Sequence, residues 1–466
     1  MICFLILCMS PPLRDVLSVR PWTSLGEQLS KCYQVPDPAA GPTNAHANLR
    51  LFEAGGVPEV TLFRDNHGWC PYCQKVWLFL EEKKVNYDVR KVTMFCYGKK
   101  EAWYKKIVPS GMLPALQVKQ TGEVVTESDA ILARLEQLFG PLGPVPLSHA
   151  EVELNRRLER KLFSAWCSWL CRPSWTAEEE AGAKEDFCSV CREVERRIGE
   201  SLGPFLLSEF GVSDTILCPY IERMQSSLFY YKGFNMRETF PVISAWFSAM
   251  EQRSTYQGTK SDHHTHVHDL PPQMGGCYHD ANCLKASPSL VEVVKGAMDS
   301  VDAPSLNSDS SSLEVDASAF PEPATSRLEA AYRVMRHRQV LAQISPVHSS
   351  SPDAFDVGVR AVLTRLLADC SYRHFPDVAS VERTGTMDQL PPGGALALLY
   401  MRDRLSIPRD MGFWAGRRLR QTLSDVASDY GSAQDWEIYR GDPRWRIPRE
   451  HRRDADPTPF RAAVKA

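Results

Sequence analysis

The stretch from Val60 to Leu80, VTLFRDNHGWCPYCQKVWLFL, constrains this chain more than any other. Val60, Thr61, Leu62 and Phe63 are β-branched or aromatic, as a buried strand requires. A loop follows, then the turn Cys70-Pro71-Tyr72-Cys73, then Val76, Trp77, Phe79 and Leu80 at helical spacing. Pro71 suits the first turn of a helix, where its missing N–H costs nothing. Cys70 therefore meets the unpaired N–H groups at a helix start, whose positive partial charge favours a thiolate. A thiol so placed has its pKa lowered from about 8.5 toward ~3.5–7.5. With a Brønsted slope of ~0.45 the less basic sulfur loses about five-fold in nucleophilicity, so the net gain is only a few-fold. A partner thiol has to do more, and Cys73 lies one turn on, within reach to resolve a mixed disulfide. Two structural cysteines, or half of a zinc site, is the competing reading; the preceding strand and following helix favour a redox dithiol.

At 466 residues the chain has room for two or three domains with ample cores. Its net charge of -3 gives no electrostatic case for a nucleic-acid partner. The 14 cysteines are scattered rather than packed into a small secreted scaffold, which favours a reducing compartment. A cytoplasmic location is expected, with a plastid as the alternative. No run of about 18 apolar residues is present to span a membrane. Residues 1–58 open with MICFLILCMS, a short apolar run without basic residues before it or a cleavage site after it. They continue rich in Pro, Ala and Gly and read as an irregular arm or targeting segment outside the first core.

Residues 59–139 read as a first domain with the order βαβαββα, a thioredoxin-like α/β fold. Strands are expected near residues 86–93, 113–118 and 123–126, and helices near residues 99–107 and 127–139. An X-Pro bond at Leu113-Pro114, entering a strand opposite the Cys70 turn, is a candidate cis peptide. Leu113 would then offer its backbone as an open strand edge to an extended peptide. Glu127 and Ser128 sit at a helix start, where free N–H groups bind a carboxylate. A small peptide carrying a thiol, a carboxylate and an amino group fits this set. Of the remaining polar residues, His67 reads as a loop cap and Cys96 as a buried free thiol.

Cys70-Pro71-Tyr72-Cys73, Trp103-Tyr104-Lys105-Lys106, Pro109-Ser110-Gly111-Met112-Leu113-Pro114 and Glu127-Ser128 together resemble the cytosolic glutathione transferases over residues 60–256. The likeness is to the cysteine-type omega class and the dehydroascorbate reductases, and CPYC is also the dithiol motif of glutaredoxins. The resemblance implies glutathione as co-substrate, no metal, a mixed disulfide on Cys70, and Leu113 paired with the cysteinyl backbone. It further implies Glu127 and Ser128 on the γ-glutamyl end, Lys100 on the glycine carboxylate, Tyr72 and Pro114 within the site, and a possible homodimer.

Residues 140–148 read as a linker rich in Pro and Gly. Residues 149–256 turn to helical period, with helices expected over 151–171, 183–201, 214–226 and 241–252, an all-α bundle. Gly211 stands where the family has a capping Ser or Thr, three residues before Asp214, so a weaker cap is expected. Cys167/Cys171 and Cys188/Cys191 read as packed helix residues. Residues 257–285 are His/Cys-rich, with His263, His264, His266, His268, Cys277, His279 and Cys283. A polar segment packed along the first two domains is preferred there over a zinc or copper site. Residues 286–325 read as a disordered linker. Residues 326–466 read as an extension, helical near 326–342, 352–367 and 415–426, with a charged tail. The resemblance extends to long plant and algal members that carry such extensions.

The leading functional expectation is a glutathione-dependent thiol–disulfide oxidoreductase acting on protein or small-molecule disulfides or oxidised small molecules. The alternatives are conjugation of glutathione to apolar electrophiles, and a non-catalytic glutathione-binding or scaffold protein. Every version with chemistry needs Cys70 to face a groove.

Overall fold

The computed structural model describes residues 17–278, 280, 315, 318–368, 386–442 and 445. The chain opens with β1 (Leu17–Ser18), α1 (Trp22–Cys32) and β2 (Leu49–Arg50). The unit β3 (Val60–Asp65), α2 (Pro71–Glu82), β4 (Tyr87–Val92), α3 (Ala102–Ile107), β5 (Ala115–Val118), β6 (Val124–Thr126) and α4 (Ser128–Phe139) follows, in βαβαββα order. Its sheet runs β2-β4-β3-β5-β6, with β3 and β4 parallel and the other neighbours antiparallel. This is a thioredoxin-like fold.

All six residues of β3 are buried because it is the central strand with both faces covered. Val60 and Leu62 face α2 in the main core, whereas Phe63 joins Val92, Tyr104, Val108 and Ala115 on the other face. The register sets Phe63 opposite Ala115, and Ala115 opposite Thr126. The C-terminal end of β3, Leu113 and Glu127 therefore lie at one end of the sheet.

Next comes an all-helical bundle of α5 (Ala150–Leu170), α6 (Ala177–Glu200), α7 (Val212–Lys232), α8 (Met236–Thr239), α9 (Pro241–Glu251) and α10 (Ser254–Thr259). α6 begins earlier than its apolar spacing suggests, because Thr176 and Glu179 form a capping box at its start. At the start of α7, Asp214 supplies half of such a box without a side chain at Gly211. Its carboxylate accepts from Gly211 N (3.0 Å), Leu206 N (3.1 Å) and Trp246 Nε1 (2.8 Å).

One expectation needs correction. From residue 17 on, the arm is not irregular. Trp22–Cys32 is a helix, β2 adds the outermost strand beside β4, and Arg50 reaches under α2. There it makes a bidentate pair with Glu81 (2.8 Å to each oxygen), which also accepts from Tyr87 Oη (2.6 Å) and Thr43 Oγ1 (2.7 Å). Each buried charge of that knot is matched, which is what makes its burial tolerable. The His-rich stretch packs against the helical domain and the Trp69 loop. His263–Met274 forms α11, buried against α7 on one side and the extension on the other. His279 and Cys283 lie outside the described residues, as do most of the expected disordered linker and the charged tail.

The extension consists of α12 (Ser326–Ile344), α13 (Pro352–Ala368), β7 (Thr386–Met387), α14 (Gly394–Arg404), α15 (Phe413–Tyr430) and α16 (Ala433–Gly441). It has its own core, which includes Val19, Leu25 and Leu29 from the arm. β1 pairs with β7, Trp22 Nε1 donates to Asp356 (2.7 Å) and Gln28 Nε2 donates to Leu367 O (3.0 Å).

Candidate active site

Cys70 is the N-cap of α2, with Pro71 as the first helical residue and Gln74 N donating to Cys70 O (3.0 Å). Cys73, one turn later, is in side-chain hydrogen bonding with Cys70. Burial, then that hydrogen bond, holds the Cys73 thiol well above the ordinary range, so it stays protonated at neutral pH. Asp65 closes the group from the end of β3. One oxygen from its carboxylate and the two sulfurs all lie within 4.8 Å of one another. Asp65 Oδ2 accepts from Trp69 N (2.7 Å), which fixes the loop, whereas Oδ1 is buried with no hydrogen-bond partner among the described residues. These three are the sole grouping of metal-type ligands among the described residues, and the histidines of α11 do not converge.

Two cations stand by. Lys100 is 9% exposed, with its Nζ 4.9 Å from the Phe95 ring centroid and the charges of Cys73 and Cys70 acting on it. Burial lowers its pKa and the two sulfurs raise it. Gly111 makes room for it: φ is +67°, and a Cβ would meet Phe95 Cζ at 2.9 Å and Lys100 Cγ at 3.5 Å. Arg223, from α7, is the second cation. Its guanidinium lies 4.4 Å over the Trp69 ring and donates to Trp69 O and to Gln74 Oε1 (3.0 Å). Burial lowers its pKa, while Glu222 and then Cys70 oppose the shift by Coulomb attraction.

The remaining expected residues line the same sheet end. Leu113-Pro114 is cis, Leu113 is half-buried, and Tyr104 Oη donates to Met112 O. Glu127 is the N-cap of α4 with φ +70°, a strained backbone for a side-chain-bearing residue, and Ser128 is buried behind it. Tyr72 is 40% exposed and edge-on to Tyr220.

The sulfurs are more enclosed than the sequence suggests: Cys70 is 5% exposed and Cys73 1%. α11 is the reason. His266 Nδ1 accepts from Trp69 Nε1 (3.0 Å), and Gln273 Nε2 reaches Tyr97 Oη (3.4 Å), whose ring stacks edge-on with His67 at 4.2 Å. His266 Nε2 in turn contacts Glu222 Oε1 (2.7 Å). α11 is anchored from behind by the extension: Arg420 pairs with the α11 N-cap Asp262, and Ile407 N donates to Thr265 Oγ1 (3.0 Å).

Asp65, Arg223, Glu222 and His266 are the site residues that sequence reasoning missed. Asp65 carried a usable signal, a carboxylate at the end of the strand that feeds the Cys70 turn. The other three arrive from 150 or more residues away and carried none.

A dithiol turn at a helix start, on a thioredoxin-like sheet backed by an all-helical bundle, is similar to the arrangement of the cysteine-type glutathione transferases. Residues 69–138 match the family model for the glutathione S-transferase N-terminal domain. Over 196 residues the chain is 26% identical to chloroplastic glutathione S-transferase DHAR3 of Arabidopsis thaliana, covering 42% of this chain and 70% of that protein. It is 27% identical to DHAR2 of the same plant (45% and 89%) and 26% identical to its glutathione S-transferase L3 (41% and 79%). Among solved structures it is similar to glutathione transferase Omega 3C from Trametes versicolor, at 25% identity, TM-score 0.37, and coverage of 44% and 91%. It is also similar to the Chlamydomonas reinhardtii dehydroascorbate reductase, at 19% identity, TM-score 0.35, and coverage of 43% and 91%.

Proposed function

We propose that this protein is a glutathione-dependent thiol transferase that works through Cys70. The observation that carries the reading is the Cys70 position itself, at the first turn of α2, flanked by Cys73 and Lys100 and with Arg223 acting on it. Glutathione lies along Leu113, with its γ-glutamyl end at Glu127 and Ser128, its glycine carboxylate toward Lys100, and Tyr72 and Pro114 bordering the groove. The Cys70 thiolate attacks the glutathionyl sulfur of a mixed disulfide; a Cys70–glutathione disulfide forms and the substrate thiol leaves. A second glutathione thiolate then attacks that sulfur, releasing glutathione disulfide and restoring Cys70. Small oxidised molecules such as dehydroascorbate suit the enclosed site better than bulky disulfides. Holding the tripeptide converts a bimolecular exchange into a near-unimolecular one. Because Cys73 is held protonated and is 1% exposed, release by a second glutathione outruns release by Cys73. The relatives include both chloroplastic and cytosolic forms, and we place this reaction in the cytoplasm, with the plastid as the alternative.

Paired variants test this on the full chain with glutathione and a glutathionylated peptide or dehydroascorbate. Cys70→Ser is expected to lose at least a hundred-fold in rate, and Cys73→Ser to keep at least half. Activity surviving in Cys70→Ser, or conjugation of chlorodinitrobenzene that it retains, would overturn the assignment in favour of hydroxyl-assisted conjugation.

The enclosure of Cys70 beneath α11 favours a second reading, a glutathione-binding protein without turnover. A stable gain of one glutathione on Cys70 together with no reduction of any disulfide or dehydroascorbate would select it.

A further inference from the structure

Outside the Cys70 site the described residues hold one other meeting of several thiols. Cys167 lies in the last turn of α5, Cys171 is its C-cap, and Cys277 follows α11. The Cys171 thiol has both of the others as neighbours that act on its pKa. All three are half-buried, in contrast to Cys70 and Cys73, so small reagents reach them. The backbone fixes the meeting. Tyr278 N donates to Leu170 O (2.8 Å), beside Cys171, and Asp280 N donates to Tyr231 O (3.0 Å) on α7. The chain leaving α11 is therefore stitched across the ends of two helices with Cys277 against Cys171.

We propose that Cys171 and Cys277 are a second redox pair, which a low-molecular-weight disulfide such as glutathione disulfide converts to an intramolecular disulfide. Cys277, the neighbour of Cys171, opens the exchange by giving up its proton to solvent. It attacks one sulfur of the small disulfide, forming a mixed disulfide and releasing one thiolate. Cys171 then gives up its proton to solvent and attacks the Cys277 sulfur, releasing the second thiolate. Two protein thiols are oxidised, and one small disulfide is reduced to two thiols. Cys167 is the wrong partner for Cys171, since it shares a helix with it and four-residue spacing on a helix holds side chains parallel rather than facing. Cys167 pulls the Cys171 thiol down, but Cys277 and burial outweigh it and push Cys171 up to about 12. In the resting protein Cys171 therefore stays protonated at neutral pH, and Cys277 is the thiol that opens the exchange. Once joined, α11 is held at both ends, by Asp262–Arg420 and by the new bond. The pair acts without Cys70, so it stands or falls separately from the thiol-transferase reading.

The test treats the full chain with graded ratios of glutathione disulfide to glutathione, alkylates remaining thiols, and maps peptides by mass without reduction. The expected product is a cross-linked peptide joining Cys171 to Cys277, present equally in Cys70→Ser and in Cys167→Ser. In Cys171→Ser the link disappears and Cys277 instead carries one glutathione. Cross-links confined to Cys70–Cys73, a link from either residue to Cys283, or glutathione stalled on Cys277 of the unsubstituted chain, would each overturn the proposal.

Discussion

The transferase unit and the extension each close a hydrophobic core, but they recruit its residues in opposite ways. In the first, most core residues come from consecutive elements: β3 packs on α2, and α5 on α6 and α7. The extension cannot close from its own stretch. Val19, Leu25 and Leu29, from the arm near the start of the chain, complete its core. A core built from neighbours is visible as periodicity, whereas one completed by a distant helix is not. The comparison also separates roles. The transferase unit holds the thiols of the proposed chemistry, and the extension, through α11, holds the cover over them.

The sharpest way to break this comparison is at the join. Arg420 and Asp262 form a buried ion pair, 3% and 0% exposed at their side chains, linking α15 to the α11 N-cap. Arg420→Leu leaves a buried carboxylate without its partner, which costs about 3–5 kcal/mol. In the unsubstituted chain burial opposes but Arg420 dominates, holding the Asp262 pKa well below the carboxylate range. The expected result is a loss of that size in urea unfolding together with faster alkylation of Cys70. Unchanged stability and unchanged Cys70 reactivity would show that the two regions are independent.

Leu25→Ala comes next. Leu25 is fully buried in the extension's core. Its truncation should cost about 2–5 kcal/mol there. Calorimetry of the full chain should show the extension's unfolding shifted and the transferase unit's unfolding unmoved. An equal shift of both would merge the regions into one cooperative unit.

What was legible in the sequence follows from the same division. The CPYC turn, Leu113-Pro114 and Glu127-Ser128 are contiguous motifs on elements whose order is local, and the structure sets Leu113 and Glu127 at one end of the sheet, beside the end of β3 that feeds the turn. α14 and α16 escaped because α14 is buried on nearly every face, so it shows no apolar stripe, and α16 is short. α1 escaped for a different reason: its start is Pro21 without a side-chain cap, and its neighbours are rich in proline. α11 was hidden by composition. Four histidines and two prolines in twelve residues read as polar and broken, yet each buried polar group that anchors it has a partner on another element. Arg223 lies in a helical run that carries no local mark of a site. Nothing in a single sequence says that its helix crosses behind Trp69.

The smallest expected effect probes the cover through pH. His266 is fully buried, and because its Nδ1 accepts from Trp69 Nε1, its Nε2–H must donate to Glu222 and the ring is neutral. Burial lowers its pKa to about 4 against the pull of Glu222. Below pH 6.5 the unfolded chain takes up a proton there that the folded chain refuses. Stability is therefore complete above pH 6.5 and falls as pH drops toward 4, by on the order of 2 kcal/mol. His46 in the arm, lowered to about 3 by burial, adds a loss of the same sign. Asp214, raised to about 6 by burial, works against both between pH 6 and 3.8, since the folded chain there binds the extra proton. Glu222, whose carboxylate is held down at about 2 by His266 despite burial, matters only below pH 4.5. Urea midpoints from pH 7.5 to 4.5 should thus fall, and His266→Gln should flatten the slope by its own share while His46→Gln removes another. The two differ in readout. Only His266→Gln should also raise the alkylation rate of Cys70 at pH 7.5, because only it loosens α11 from Trp69. If both variants left Cys70 equally slow, α11 would not be what encloses it.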